Sequence, residues 1–407
     1  MTTSVHDQVY TTNSSNFIEN ENDEATLFEE QEFNFASSCT DNFPKILAAL
    51  NISLAVTSYQ AHRLFFLRSD GEKIETHFKA FPRPMGVYAD NERLTIGTFS
   101  QVLEFRRSDG LLEKIKHGVL DNTDKMTHKI LEKDKEKMEA FVQKRSEELK
   151  RVKESDALYL SRAAITTGMI NIHDIAWGDG GLWVVNSTFS CLSTLSPDYS
   201  FVARWKPPFI SELVPEDRCH LNGMAMFNGR PRFVTTFNQL DKIDSWNQKS
   251  KASGTLIDVD TDEILLDKLV MPHSPRIYNN KVYLCDSGVG KLLCYDLETR
   301  TVNEIMHFQG FPRGMNFYGP LLFVGLSKVR DSDEKEPIPL ARMYEETYSG
   351  IRVINLEDNS EIASLTFEGD LEQIYDIAII PHAVNPEILN IDDSLIRHAY
   401  EYDQKII

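Results

Sequence analysis

Basic residues are in short supply: 43 Lys and Arg stand against 62 Asp and Glu, a formal charge of −19 at pH 7. An acidic chain without a basic stripe offers no electrostatic footprint for phosphate backbones or anionic lipid. Neither nucleic acid nor a membrane is therefore expected as a partner. Long apolar runs are missing as well. No 18-residue apolar stretch occurs, and Met1-Thr-Thr-Ser is not followed by a basic and then an apolar leader region. A soluble, cytoplasmic protein is expected. The five cysteines, Cys39, Cys191, Cys219, Cys285 and Cys294, are odd in number and lack CxxC spacing. That excludes a disulfide framework or a zinc ribbon and leaves reduced thiols, mostly in the core. The GxSxG, HExxH, GxxxxGK[ST], EF-hand and GxGxxG patterns are absent, which removes support for the common nucleotide and serine-hydrolase chemistries.

What is present is a repeat. Six short runs introduce apolar hairpins: Arg83-Pro-Met-Gly-Val, His173-Asp-Ile-Ala-Trp, His220-Leu-Asn-Gly-Met, His273-Ser-Pro-Arg-Ile, Arg313-Gly-Met-Asn-Phe and Tyr375-Asp-Ile-Ala-Ile. Tight-turn pairs such as Asp90-Asn91, Gly180-Gly181, Asn228-Gly229 and Asn279-Asn280 separate the two strands of each hairpin. Later parts of the units, clearest in 291–305 and 350–367, read as two further strands. Four strands per repeat make a propeller blade. The sequence therefore predicts an all-β, six-bladed β-propeller over residues 45–381, closed by pairing of Leu54–Val56 with the segment after Tyr375.

Three parts stand outside the repeat. Residues 1–44 hold nine acidic and no basic residues, a composition that predicts disorder, with Phe28, Phe33 and Phe35 as a docking element near its end. Residues 111–155 are dense in charge and poor in Gly and Pro. Leu131, Met138, Val142 and Leu149 share one helical face there, so a long charged helix inserted into a blade connection is expected. Its narrow stripe suits packing on the propeller rim or, as the alternative, self-association or pairing with a partner protein. Residues 382–407 form a C-terminal tail. The charged run Asp331–Glu336 reads as a solvated rim loop.

Chemistry is expected where the repeats converge, because the first strand of each blade lines the central channel. His173, His220 and His273 begin three successive units. Three converging imidazoles suit a divalent transition metal, zinc, iron or copper, with an open position for water or substrate. The alternatives are a metal-free polar pocket using the imidazoles as acid, base or hydrogen-bond partner, and a purely structural role. Arg83, Arg276, Arg313 and Asn222 stand beside the channel positions as candidates for binding an anionic small molecule or peptide. Asp174 and Asp376 are the candidate catalytic carboxylates, and inter-blade ion pairing with the arginines is the competing use for them. Cys219 reads as a core thiol rather than a fourth ligand. Trp205, Phe209 and Trp246 form either an aromatic wall at the channel mouth or inter-blade packing.

The motifs Ile172-His-Asp-Ile, Pro215-Glu-Asp-Arg-Cys-His-Leu-Asn-Gly223, Met271-Pro-His-Ser-Pro-Arg276, Gly310-Phe-Pro-Arg-Gly and Phe323-Val-Gly-Leu-Ser-Lys328 are long and keep a fixed order. With them, the stretch from Leu47 to Pro381 resembles a family of conserved bacterial proteins of unknown function. The resemblance implies a propeller-like domain and no activity. The architecture is also similar to six-bladed enzyme propellers such as gluconolactonase and paraoxonase, whose axial calcium is held by oxygen ligands; three imidazoles in that place favour a softer metal. Two functions follow: a metal-dependent enzyme acting on a small anionic molecule or peptide, or a non-catalytic propeller that binds a peptide, metabolite or partner protein.

Overall fold

A computed structural model describes residues 34–121, 135–243, 245–248, 252–329 and 338–402. The expected disorder of the acidic segment up to residue 33, Leu131 and the charged run 331–336 lie outside the described residues. The compact unit is Phe35–Ile407.

Its strands form six antiparallel sheets around one axis, the six-bladed propeller. Blade 1 runs outward from Val87–Ala89 through Arg93–Gly97 and Gln101–Arg107 to Ala157–Thr166. Blade 2 comprises Ile172–Gly178, Gly181–Asn186, Cys191–Thr194 and Val202–Trp205. Blade 3 holds Leu221–Phe227, Arg230–Thr236, Gly254–Asp258 and Ile264–Leu269, and blade 4 holds Pro272–Tyr278, Lys281–Asp286, Lys291–Asp296 and Thr301–His307. Blade 5 consists of Phe311–Tyr318, Leu321–Ser327, Gly350–Asn355 and Ser360–Phe367. In blade 6 the inner strand Asp376–Pro381 comes from the far end of the chain and pairs with Ile52–Ser58, in register from Ile52 with Pro381 to Thr57 with Asp376. Arg63–Ser69 and Ile74–Ala80 complete it. The ring thus closes within one sheet, at the place the sequence indicates.

Local chemistry explains the hairpins. Asn228-Gly229 and Asn279-Asn280 all take positive φ, the backbone twist that two-residue turns between paired strands require. Strand residues alternate between neighbouring blades, so a separate apolar cluster fills each gap. Ile172, Ile175 and Val184 pack with Val102 between blades 1 and 2, and Phe65 and Leu54 pack with Phe323 and Val353 between blades 6 and 5. Burial of this kind, at about 25 cal/mol per Å² of apolar area, drives the ring together, because a lone blade leaves both faces wet.

The appendages differ from expectation in three ways. The acidic segment does not stay outside the fold as far as Pro44. Ser37–Cys39 adds a fifth strand to blade 5, pairing with Leu365–Phe367, and helix α1 (Asn42–Leu50) buries Phe43 and Leu47. The tail is likewise structural: Pro386–Leu389 lies parallel to Ala157–Leu160 as a fifth strand of blade 1. The 111–155 insertion is not one helix. It contains α2 (Asp109–Lys116) and α3 (Lys135–Glu154), with 122–134 outside the described residues.

The buried face of α3 keeps Leu149 of the stripe read from the sequence and drops Val142. Val142 is exposed, whereas Val152 joins Leu111, Leu112 and Ile115 of α2 and Leu158 and Leu160 of blade 1 in one core. Buried Glu148 accepts hydrogen bonds from the backbone N–H groups of Ser394 (2.9 Å) and Leu395 (3.2 Å), capping the short turn of helix at Leu395–His398. Arg151 reaches Glu387 (3.5 Å), which Arg68 (3.3 Å) and His77 (3.3 Å) also approach. Burial alone would raise Glu387, but His77, Lys79 and Arg68 outweigh it and lower the carboxyl to about 2. The helix pair is docked on the rim of blade 1.

Candidate functional site

Inner strands are buried where they start and half-buried where they end; Ile172–Gly178 and Pro272–Tyr278 share this gradient. The first residues of the six units therefore gather at one end of the axis. Residues at or beside the starts of the second to sixth units surround a cavity of about 10 Å³, room for one water-sized group. His173, Asp174, Asn222, His273, Arg313 and Tyr375 line it together with Gly223, Ser274 and Asp376.

Blades alternate at this level. Blades 1, 3 and 5 carry Gly86, Gly223 and Gly314, and blades 2, 4 and 6 carry Asp174, Ser274 and Asp376. A Cβ on Gly86 or Gly314 would come within 3.1 Å or 2.8 Å of the Cα of Asp174 or Asp376, so the crossing strands leave no room for a side chain. Each polar residue then caps the blade that follows. Met224 N–H donates to Asp174 (3.0 Å), Gly314 N–H to Ser274 Oγ (3.0 Å) and Val87 N–H to Asp376 (3.2 Å).

This alternation decides the role of both candidate carboxylates. Asp174 also takes a two-pronged bond from Arg276, 2.7 and 3.2 Å long, and Asp376 lies 3.7 Å from the same guanidinium. Arg276 adds bonds to the carbonyls of Met224 and Pro275, both 3.0 Å. Burial would lower Arg276, yet Asp174 and Asp376 more than offset it and raise the group. For Asp376 burial is the larger influence, and its carboxyl is raised despite Arg276. Of the two uses weighed for these residues, the inter-blade ion pair is the one present. Arg276 is thereby spent on Asp174, and Arg83 is exposed over the Phe99 ring (4.7 Å) rather than lining the cavity.

Arg313 is different. It is 9 % exposed and makes no ion pair with any described residue. Its guanidinium carbon sits 3.6 Å from the centre of the Tyr375 ring, so Tyr375 is its close neighbour. Burial lowers Arg313, and Tyr375 and Asp376 oppose that. The buried Tyr375 hydroxyl and the amide nitrogen of Asn222 also find no partner among the described residues. Burial raises the phenol well above its usual value, with Arg313 opposing. Two buried donors on one cavity thus lack an acceptor, beside an arginine that no carboxylate of the described residues pairs.

The imidazoles complete an aromatic belt that runs through Tyr375, His173, His220, Phe237, His273 and Phe311, with ring centres 4.5 to 5.7 Å apart. His173 Nδ1 lies 3.0 Å from Asn171 O and His273 Nδ1 2.9 Å from Met271 O. A carbonyl only accepts, so both Nδ1 atoms carry the hydrogen and both Nε2 atoms are acceptors. His220 Nδ1 donates to Asp217 (2.7 Å), and its Nε2 is 3.1 Å from His173 Nε2. Burial holds His173 well below the usual range, reinforced by His220 and then Arg313; His273 is lowered likewise, by burial and then Arg313.

Fit to a metal is a separate question. His173 and His220 are adjacent, but among the described residues no three of His, Cys, Asp and Glu form a group that could hold an ion. A catalytic zinc takes three protein ligands, and the residues present do not assemble that set.

The family model for a domain of unknown function, DUF4915, matches residues 41–127 and 118–389. The chain belongs to the DUF4915 family. Among curated proteins no sequence matches it. The DUF4915 chain is similar in structure to a chain in the crystal structure of a nidogen/laminin complex, with a TM-score of 0.46 and 11 % identity over 81 % of this chain and 98 % of that one. No helix among the described residues is long and apolar enough to cross a membrane.

Of the other residues singled out, Trp246 stands at the belt, its ring 4.1 Å from that of His220. Trp205 and Phe209 pack against the apolar cluster between blades 2 and 3. Cys219 is buried in the same cluster, and burial pushes its thiol up to about 12, which removes it as a ligand or nucleophile. Sequence reasoning passed over Tyr375, Phe237 and Phe311 as site residues. Tyr375 had a signal, since it occupies the same unit-start position as His173 and His273. Phe237 follows the second strand of blade 3 and had none.

Proposed function

We propose that this propeller binds the anionic head, a carboxylate, of a small molecule or peptide terminus at the axial cavity. The observation that carries this reading is Arg313, a buried guanidinium with no counter-ion among the described residues, beside two further unpartnered donors. A buried charge is costly unless paired. A carboxylate supplies the missing charge and accepts from Arg313, the Tyr375 hydroxyl and the Asn222 amide at once. The cavity has room for one water-sized group, so one carboxylate oxygen enters it and the rest of the ligand stays outside.

Calorimetric titration with acetate tests it. R313M should weaken binding at least tenfold, because a charge-assisted hydrogen bond is worth roughly 1.5–3 kcal/mol. Its thermal midpoint should equal or exceed that of the wild type, since a buried unpaired charge has been removed. Equal acetate affinity in both proteins would sink the proposal.

A second reading is favoured by the chain Asp217–His220–His173, whose hydrogen bonds of 2.7 and 3.1 Å form a path for a proton toward the cavity. Acid–base chemistry on the bound anion would use it. D217N would then remove turnover while leaving ligand affinity in place.

A further inference from the structure

Building on the carboxylate reading of Arg313, we propose that the ligand is a 2-hydroxycarboxylate, with its hydroxyl hydrogen received by Nε2 of His273. The donors of the cavity account for the carboxylate alone. His273 adds the opposite character to the same wall. Its ring is 2 % exposed and lines the cavity with Arg313. Its Nδ1 is committed twice, to Met271 O at 2.9 Å and Ser287 Oγ at 2.8 Å. Ser287 Oγ in turn donates to Pro312 O (2.6 Å), so the serine hydrogen is spent and its oxygen accepts from the imidazole. These bonds fix the tautomer. Nε2 is left as a bare acceptor, and no described residue donates to it.

An acceptor without a donor, beside donors without an acceptor, asks for a ligand that offers both characters within a few atoms. Acetate satisfies the donors and leaves Nε2 unpaired. A hydroxyl on the carbon next to the carboxylate reaches an acceptor on the adjoining wall, and a methoxy group there presents oxygen lone pairs and no hydrogen. Phe311 and Phe237 flank the His273 ring at centre distances of 5.3 and 5.2 Å and hold it in place. The cavity has room for one water-sized group, so the ligand enters it with one oxygen and a larger polar group is excluded from that spot.

The test is calorimetric titration of the full chain at pH 7 with glycolate, acetate and methoxyacetate. The expected result is glycolate binding about tenfold tighter than the other two, the worth of one buried hydrogen bond. H273F should bring glycolate down to the level of acetate, and the wild-type series decides alone should that variant not fold. Acetate and glycolate binding equally tightly to the wild type overturns the hydroxyl assignment while the carboxylate reading stands. Binding of none of the three overturns both.

Discussion

A single buried side chain can carry the balance of charge at a site, and here the surroundings of individual groups sort structural from functional roles. Asp174, Asp376 and Arg276 neutralise one another across blades 2, 4 and 6, whereas Arg313 has no such counterpart. Which arginine would be spent was not legible in the sequence, since Arg276 and Arg313 stand beside equivalent channel positions. The answer depends on where the guanidinium ends after crossing between strands of other blades. Asp286 shows the same dependence. It ends the second strand of blade 4 and accepts Val270 N–H at 2.6 Å. Burial raises its carboxyl to about 6, against the pull of that bond and of Lys291. A folded value above the unfolded one of 3.8 means that the fold favours the protonated form, so Asp286 costs stability progressively as pH rises from about 4 through 6. D286N keeps an acceptor for Val270 and does not titrate. It should match the wild type in chemical denaturation at pH 4 and exceed it at pH 8 by up to about 3 kcal/mol, the free-energy equivalent of a carboxyl raised from its unfolded value to its folded one. Equal stability at both pH values would show the carboxylate to be solvated after all.

Inner hairpins were the most legible elements, because period-two apolar alternation and Asn-Gly or Asn-Asn turns act locally and leave few alternatives. The extra strands were not. Ser37–Cys39 carries no apolar pattern, and Pro386–Leu389 pairs in parallel with a strand more than 200 residues earlier, so neither announces itself. The inserted helix was legible as a helix and not in its orientation. Arg145 and Glu148, which the sequence did not single out, are buried and bond the backbone at Leu120 and Ser394. Docking of this kind has a measurable consequence. L112A, at a buried position of α2, should cost about 2–5 kcal/mol, while V142S on the exposed face of α3 should stay within about 0.5 kcal/mol. Equal, small effects for both would mean that the helices ride on the rim without contributing to the core.

At the scale of the whole molecule, the chain ends brace the place where the ring closes. Blade 6 joins the two ends in one sheet, and its neighbours, blades 5 and 1, each gain a strand from an end segment. Closure fixes the axial end, where alternate blades supply Gly or a short polar residue, and thereby holds the donors and the His273 acceptor around one cavity. The number of blades followed from counting units. The threefold alternation of Gly86, Gly223 and Gly314 against Asp174, Ser274 and Asp376 became apparent only with the strands in place, because spacings of 90 and 62 residues hide the equivalence of the units. The central claim is that Arg313 receives an external carboxylate. The most direct measurement is a crystal structure of the protein with glycolate. The account predicts carboxylate oxygens roughly 2.7–2.9 Å from the Arg313 guanidinium, with the hydroxyl toward His273 Nε2. A water-filled cavity at saturating glycolate, or a carboxylate of the chain itself paired with Arg313, would contradict it.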